Sequence, residues 1–225
     1  MSEGPPGTSA RHDRLLEDLA DNLTPVRRLR TPWLRGLSWF VGAVALGLAL
    51  MPLADVEGLR IRMALPDLRY AALGALLTAL TAAIATFQTS VPGRSASWAL
   101  LPLAPTALWV GASGLGCLRN WVAPGTNLAD GGETGGCLVF LLAFSVPLSL
   151  ALVLMLRRAC PLRPNLTAAL GGLAAAAGAA ALLVPFHPHD ATVTDLAAHL
   201  VVVAGIIAAN GLAGGRLLAG EAGRG

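Results

Sequence analysis

The chain has 225 residues, of which 55% are hydrophobic and only 13% charged, and its mean hydropathy is +0.64. A soluble domain has no use for so much apolar surface, so an all-α integral membrane protein is expected, with the lipid bilayer as its solvent and no direct contact with nucleic acid. All 16 basic residues are arginine, and the formal net charge is +3. The abundance of alanine, glycine, leucine, proline and arginine suggests a GC-rich bacterial genome and carries no mechanism.

The chain begins with a polar stretch. From His12 to Leu23, the residues Leu15, Leu16, Leu19 and Leu23 fall on one helical face, while Asp13, Arg14, Glu17, Asp18 and Asp21 point elsewhere. This reads as a short amphipathic helix of about three turns, marginal alone in water and in need of a surface. That surface is either a protein partner or the bilayer itself. Pro25 stops the helix at Thr24. Pro25-Val26-Arg27-Arg28-Leu29-Arg30-Thr31-Pro32-Trp33 then forms a basic, proline-bracketed collar before the first apolar run. Arg27 and Arg28 suit an acidic partner patch, and they equally suit lipid phosphates.

Six runs are long enough to cross a hydrocarbon core of about 30 Å, for which roughly 20 helical residues are needed. The expected spans are Leu34–Ala54, Leu68–Thr89, Trp98–Gly116, Cys137–Leu156, Leu166–Phe186 and Leu196–Leu218. The first run lies behind a polar segment far longer than a secretory n-region, so it reads as a retained helix and not as a cleaved signal. The expected organisation is a cytoplasmic segment over 1–33, a six-helix domain over 34–218 and a short cytoplasmic tail over 219–225.

Arginine sets the orientation, since cationic loops stay in the cytoplasm. With the N-terminus inside, twelve arginines fall on the cytoplasmic side, against Arg60, Arg62, Arg69 and Arg119 outside. The acids Asp55, Glu57, Asp67, Asp130, Glu133, Asp190 and Asp195 all fall outside. Both termini are therefore expected in the cytoplasm of a bacterial inner membrane.

Short loops favour antiparallel neighbours, and small residues allow helices to approach in lipid. Gly171, Gly172, Ala175 and Gly178 serve this in the fifth span, with Gly211 and Gly215 in the sixth. Pro102 and Pro105 in the third span and Pro147 in the fourth should bend or locally open their helices. Leu118 to Gly136, with Pro124-Gly125, Asn127 and Gly131-Gly132, is expected to be the longest irregular loop, on the outer face.

No phosphate loop, nucleophile elbow, HExxH, CxxC or pair of intramembrane carboxylates is present, so no enzyme is expected. The same absence weakens a proton-coupled transporter, although a small six-helix transporter or channel is the alternative reading. Gln88, His199 and Asn210 are the candidate intramembrane hydrogen-bonding side chains. On the outer face stand Cys117, Cys137, His187, His189 and Asp190. Thiolate and imidazole are the ligands that zinc and other thiophilic metals prefer, making Cys137, His187 and His189 the candidate metal set. In an oxidising compartment Cys117 and Cys137 could instead form a disulfide, worth about 3 kcal/mol across a loop of about twenty residues. Cys160, beside Pro161, is expected to be reduced and structural.

The leucine-rich start, the run Pro25 to Arg30 with Pro32 and Arg35, Cys137 opening span four, Pro147 within it, Arg157-Arg158 with Pro161 and Pro164, and Gly215-Arg216 near the end together resemble the NrsF family. The resemblance covers about residues 12–219. It implies a six-helix membrane protein that negatively regulates an extracytoplasmic-function sigma factor by holding it at the membrane. In that reading Leu15, Leu16, Leu19, Leu23, Arg27 and Arg28 would bind the sigma factor. The family also implies periplasmic cysteines that sense metal or oxidative stress. Cys137 matches the first of these; beside Pro188, where the second is expected, stands His187, and Cys117 is an additional candidate.

Overall fold

The computed structural model describes residues 7–21, 30–123, 131–157, 159, 161–186, 193–214 and 216. They divide into two units, residues 1–30 and 31–225. In the first, α1 spans Gly7–Asp21, starting five residues before the expected His12. In the second come α2 (Pro32–Leu50), α3 (Val56–Arg62), α4 (Pro66–Thr89), α5 (Leu103–Val122), α6 (Gly131–Leu156), α7 (Pro164–Leu183) and α8 (Val193–Ala209). Among the described residues there is no strand, and six helices are long and apolar enough to cross a membrane. The all-α, six-span expectation is therefore met.

The helix starts follow local chemistry. Pro32, Pro66 and Pro164 each occupy the first turn of a helix, where the missing N–H is no loss and the fixed φ is already helical. α3 was not expected from the sequence. Its signal is Asp55, whose Oδ1 accepts from Gly58 N at 2.9 Å, followed by Glu57 in the first turn and Arg60 and Arg62 in the last, a charge order that suits the helix dipole.

α4 and α7 form the centre, and the other four spanning helices surround them. Both are built of small residues on their buried faces: Ala75, Ala79, Ala82 and Ala83 on α4, and Ala174, Ala175 and Ala177 on α7, are 0–2% exposed. Leu73, Leu76 and Leu77 of α4 point outward. Large side chains face lipid here because burying them gains nothing against hydrocarbon, whereas small ones let backbones approach and gain dispersion contacts. The closest approaches are at glycines. A Cβ on Gly36 of α2 would lie 2.9 Å from the Ile84 Cα, and one on Gly74 would lie 2.6 Å from the Trp109 backbone nitrogen of α5. Of the expected packing glycines, Gly172 meets Ile207 of α8 in this way, at 3.0 Å. Gly171 and Gly211 have ordinary clearance; Gly214 is the tight position, 2.9 Å from the Ala168 Cβ, and Gly215 lies outside the described residues.

The expected prolines act differently from one another. Before Pro102 the third span is a 3-10 turn, Ala96–Leu100, and α5 begins just after it with Pro105 in its first turn. Pro147 lies inside α6, which continues through it. α8 passes at Asn210–Gly214 into a π-turn, and Asn210 Nδ2 donates to Ser149 Oγ on α6 at 3.2 Å and to the Ile206 carbonyl at 2.9 Å.

Three expectations need correction. Leu118–Val122 and Gly131–Gly136 are helical and not loop, so the connection between α5 and α6 is far shorter than expected. Leu118, Trp121 and Val122 are exposed apolar residues that extend the lipid-facing side of α5, which is why the helix continues past Gly116. Asp195, expected outside the sixth span, lies in the first turn of α8 and is 1% exposed. Arg35, at the edge of the expected first span, is 7% exposed and belongs to the interior.

The Arg35 guanidinium donates to the Met155 carbonyl of α6 and lies 4.5 Å over the Phe87 ring of α4. Met155 is in the last turn of α6, whose carbonyls have no partner within the helix, so a cation from α2 caps α6 and complements its dipole. Below it, Trp39 Nε1 donates to the Leu148 carbonyl at 3.1 Å. One turn of α2 is thus tied to two turns of α6. Arg35→Leu should destabilise the domain by about 2–3 kcal/mol, the value of a charge-assisted hydrogen bond plus a cation–π contact, and Arg35→Lys by less. Unfolding in mixed micelles, followed by circular dichroism, measures this; equal midpoints for wild type and Arg35→Leu would show that the cap contributes nothing.

Candidate functional site

On α1, Leu15, Leu16 and Leu19 are 57%, 63% and 59% exposed. At about 100° per residue they occupy an arc of about 100°, and Asp13, Arg14, Glu17, Asp18 and Asp21 fill the remainder. The amphipathic face inferred from the sequence is therefore present, and it is uncovered within its own unit. Leu23, Arg27 and Arg28, the other expected partner-binding residues, lie outside the described residues.

The expected sensing residues separate. Cys117 is buried on α5, and Cys137 is buried on α6 in the core cluster with Leu141, Leu182 and Leu183. Among the described residues α5 and α6 share no substantial packing interface. His187, His189, Asp190 and Cys160 lie outside the described residues. Among the described residues no group of three or more His, Cys, Asp or Glu side chains is arranged to hold a metal. A metal set built on Cys137 would have to draw its other ligands from outside those residues.

The end of the bundle that carries α3 has a polar rim which the sequence reading did not find. Arg119 Nη2 pairs with Asp67 Oδ2 at 3.2 Å, joining the last turn of α5 to the first turn of α4. Gly116, one turn earlier, leaves room for this carboxylate: a Cβ there would lie 2.8 Å from Asp67 Oδ2. On α8, His199 Nδ1 is 2.6 Å from the Asp195 carbonyl oxygen one turn back, so the tautomer carrying Nδ1–H donates within its own helix. The signal available in the sequence was the clustering of Asp67, Arg119 and Asp195 at corresponding ends of three spans. Pairing them required the packing.

At the opposite end, Thr89 and Thr167 hydroxyls are 3.2 Å apart, joining α4 to α7, and Thr89 Oγ1 also donates to the Ala85 carbonyl at 2.9 Å. Gln88 is fully buried beside them. Trp33 and Trp98 meet edge to face with centroids 5.6 Å apart, an arrangement suited to a membrane–water interface. Asn210, one of the expected polar residues, thus bridges helices, and the His199 bond to the Asp195 carbonyl lies within α8.

No curated protein and no solved structure matches this chain. One family model does match, over residues 19–219, from the latter part of α1 to beyond α8, and its description is that of a regulator and not of an enzyme. On that match, which covers most of the sequence, the chain belongs to the NrsF family, negative regulator of sigma F.

Proposed function

We propose that this protein is a membrane-bound anti-sigma factor that holds an extracytoplasmic-function sigma factor through its N-terminal segment, with residues 1–33 and the tail in the cytoplasm of a bacterial inner membrane. The observation that carries the reading is the stripe of Leu15, Leu16 and Leu19, exposed in a unit of its own within a family of sigma regulators. A leucine stripe rimmed by charge is the form an amphipathic helix takes when it lies in the apolar groove of another protein. By the sequence period Leu23 belongs with these leucines, and Arg27 and Arg28 follow in the basic collar of the sequence. Sequestration then follows from mass action, since a sigma factor bound at the membrane is withheld from RNA polymerase.

The stress signal acts from the periplasmic side in this reading, through Cys137 with His187 and His189, or through Cys117 and Cys137. Cys137 is buried among leucines, so a metal ion or oxidant that reaches that thiol has to displace packed neighbours. Zinc or another thiophilic metal enters as the signal and not as a resident cofactor.

Three measurements test these elements. Leu16→Asp with Leu19→Asp removes two apolar contacts of about 1.5–3 kcal/mol each, so sigma-factor affinity should fall at least about 100-fold and the regulon should be derepressed while membrane insertion persists. Repression unchanged by an inserted double variant would rule out binding through this face. A periplasm-dependent reporter fused after Pro124 should be active and one fused after Pro161 silent, and the reverse pattern would overturn the orientation. Cys137→Ser and His187→Ala should each blunt induction by cadmium or zinc, whereas Cys117→Ser should matter only to an oxidant. Wild-type induction in all three would remove thiol and imidazole sensing from the outer face.

A further inference from the structure

A cavity of about 410 Å3 lies within the six-helix unit, between α4, α5, α7 and α8. This is within the range of small-molecule sites. Its wall is almost wholly apolar over most of its length, where Ala72 and Ala75 of α4 face Trp109 of α5 and Val203 and Ile207 of α8. Its charged groups gather at the end that carries α3, where Arg62, Arg119 and Asp195 line it with Asn120 and His199, and elsewhere Thr106 and Ser113 are its polar residues. The cavity is therefore amphipathic along its length. It also meets the hydrocarbon sideways, since Val110 of α5 and Leu200 of α8 line it and are 41% and 43% exposed on the bundle surface.

The packing explains why the gap exists. Gly74 draws α5 onto α4 at Trp109, and Gly172 draws α8 onto α7 at Ile207. The two outer helices are thus fixed to different members of the central pair, and the space between them is left to be filled. In a bilayer, what fills an apolar gap open to lipid is an alkyl chain. The polar end specifies the rest of the occupant. Arg62 Nη2 and Arg119 Nε are shut off from solvent and have no hydrogen-bond acceptor among the described residues, and Asp67 is already engaged by the other end of the Arg119 guanidinium. Both arginines are partly exposed, but these two donor atoms lack an acceptor among the described residues, and an oxygen-rich headgroup would supply it. Asp195 lines the same end, so a cationic headgroup has an attractive carboxylate to compete for, and the test has to discriminate by charge.

We propose that this cavity binds a single-chain amphiphile with an anionic oxygen headgroup, carboxylate or phosphate ester, its chain running between α5 and α8 and its head held by Arg62 and Arg119. The site is independent of sigma-factor binding and of the direction in which the bundle crosses the membrane.

The experiment uses the full chain in a neutral maltoside detergent, titrated with a fatty acid brominated along its chain, and reads the saturable part of the tryptophan quenching. Trp109 lies in the cavity wall, so Trp109→Phe should abolish that part. Arg62→Gln, which leaves the Asp67–Arg119 pair in place, should weaken it at least tenfold, and Ala204→Phe, which narrows the cavity from its exposed lip, should weaken it as well. An alkyltrimethylammonium of the same brominated chain should bind at least tenfold more weakly to wild type and no more weakly to Arg62→Gln. Displacement by oleate or by a lysophosphatidylglycerol distinguishes the carboxylate source from the phosphate source. Equal binding of the two brominated probes, saturable quenching that survives Trp109→Phe, or displacement by neither competitor would overturn the proposal.

Discussion

Everything in the spanning domain depends on how closely α4 and α7 can approach. Lipid offers no hydrophobic reward for helix association, so contact has to come from dispersion between backbones and small side chains, and the clustered Ala82 and Ala83 of α4 with Ala174 and Ala175 of α7 provide it. The peripheral helices attach to this pair at a few tight positions, among them Gly36 for α2, Gly74 for α5, and Gly172 and Gly214 for the last span. Because each attachment is local, the outer helices are fixed to the centre more firmly than to one another. That same economy produces both the cavity between α5 and α8 and the need for Arg35 to bind α2 to α6.

Polarity divides between the two ends in different forms. At the Arg35 end it is spent on holding helices: a guanidinium on a carbonyl, a threonine pair, and a tryptophan on a carbonyl of α6. At the α3 end it includes charge in both signs, with the Asp67–Arg119 pair and a buried Asp195, and it borders open volume.

Much of the fold could be read from the sequence because length and hydropathy alone define spanning helices. Three of their starts were missed by two residues, since Pro32, Pro66 and Pro164 begin helices instead of preceding them. The long outer loop was over-read because Gly131 and Gly132 suggest irregular backbone in water, while α6 carries them in helical form. The leucine face of α1 was legible from its period. Arg35 was not: from one sequence a basic residue three positions into a span looks like a topology signal, and only the packing reveals that a helix end from 120 residues away needs its charge. Asp67 and Arg119 were invisible as a pair for the same reason.

α6 bears both the Cys137 thiol and the Met155 carbonyl that Arg35 grips, and at about 1.5 Å per residue these are about 27 Å apart along one continuous helix. Such a helix is a strut. A displacement imposed at the Cys137 end is delivered at the other end with no loop to dissipate it, and it arrives at the first turn of α2. Pro147 is the one joint in the strut, because its ring removes a rung from the hydrogen-bond ladder midway. Whether a push on α6 becomes a stroke or a bend is therefore decided by the stiffness of this single residue's surroundings.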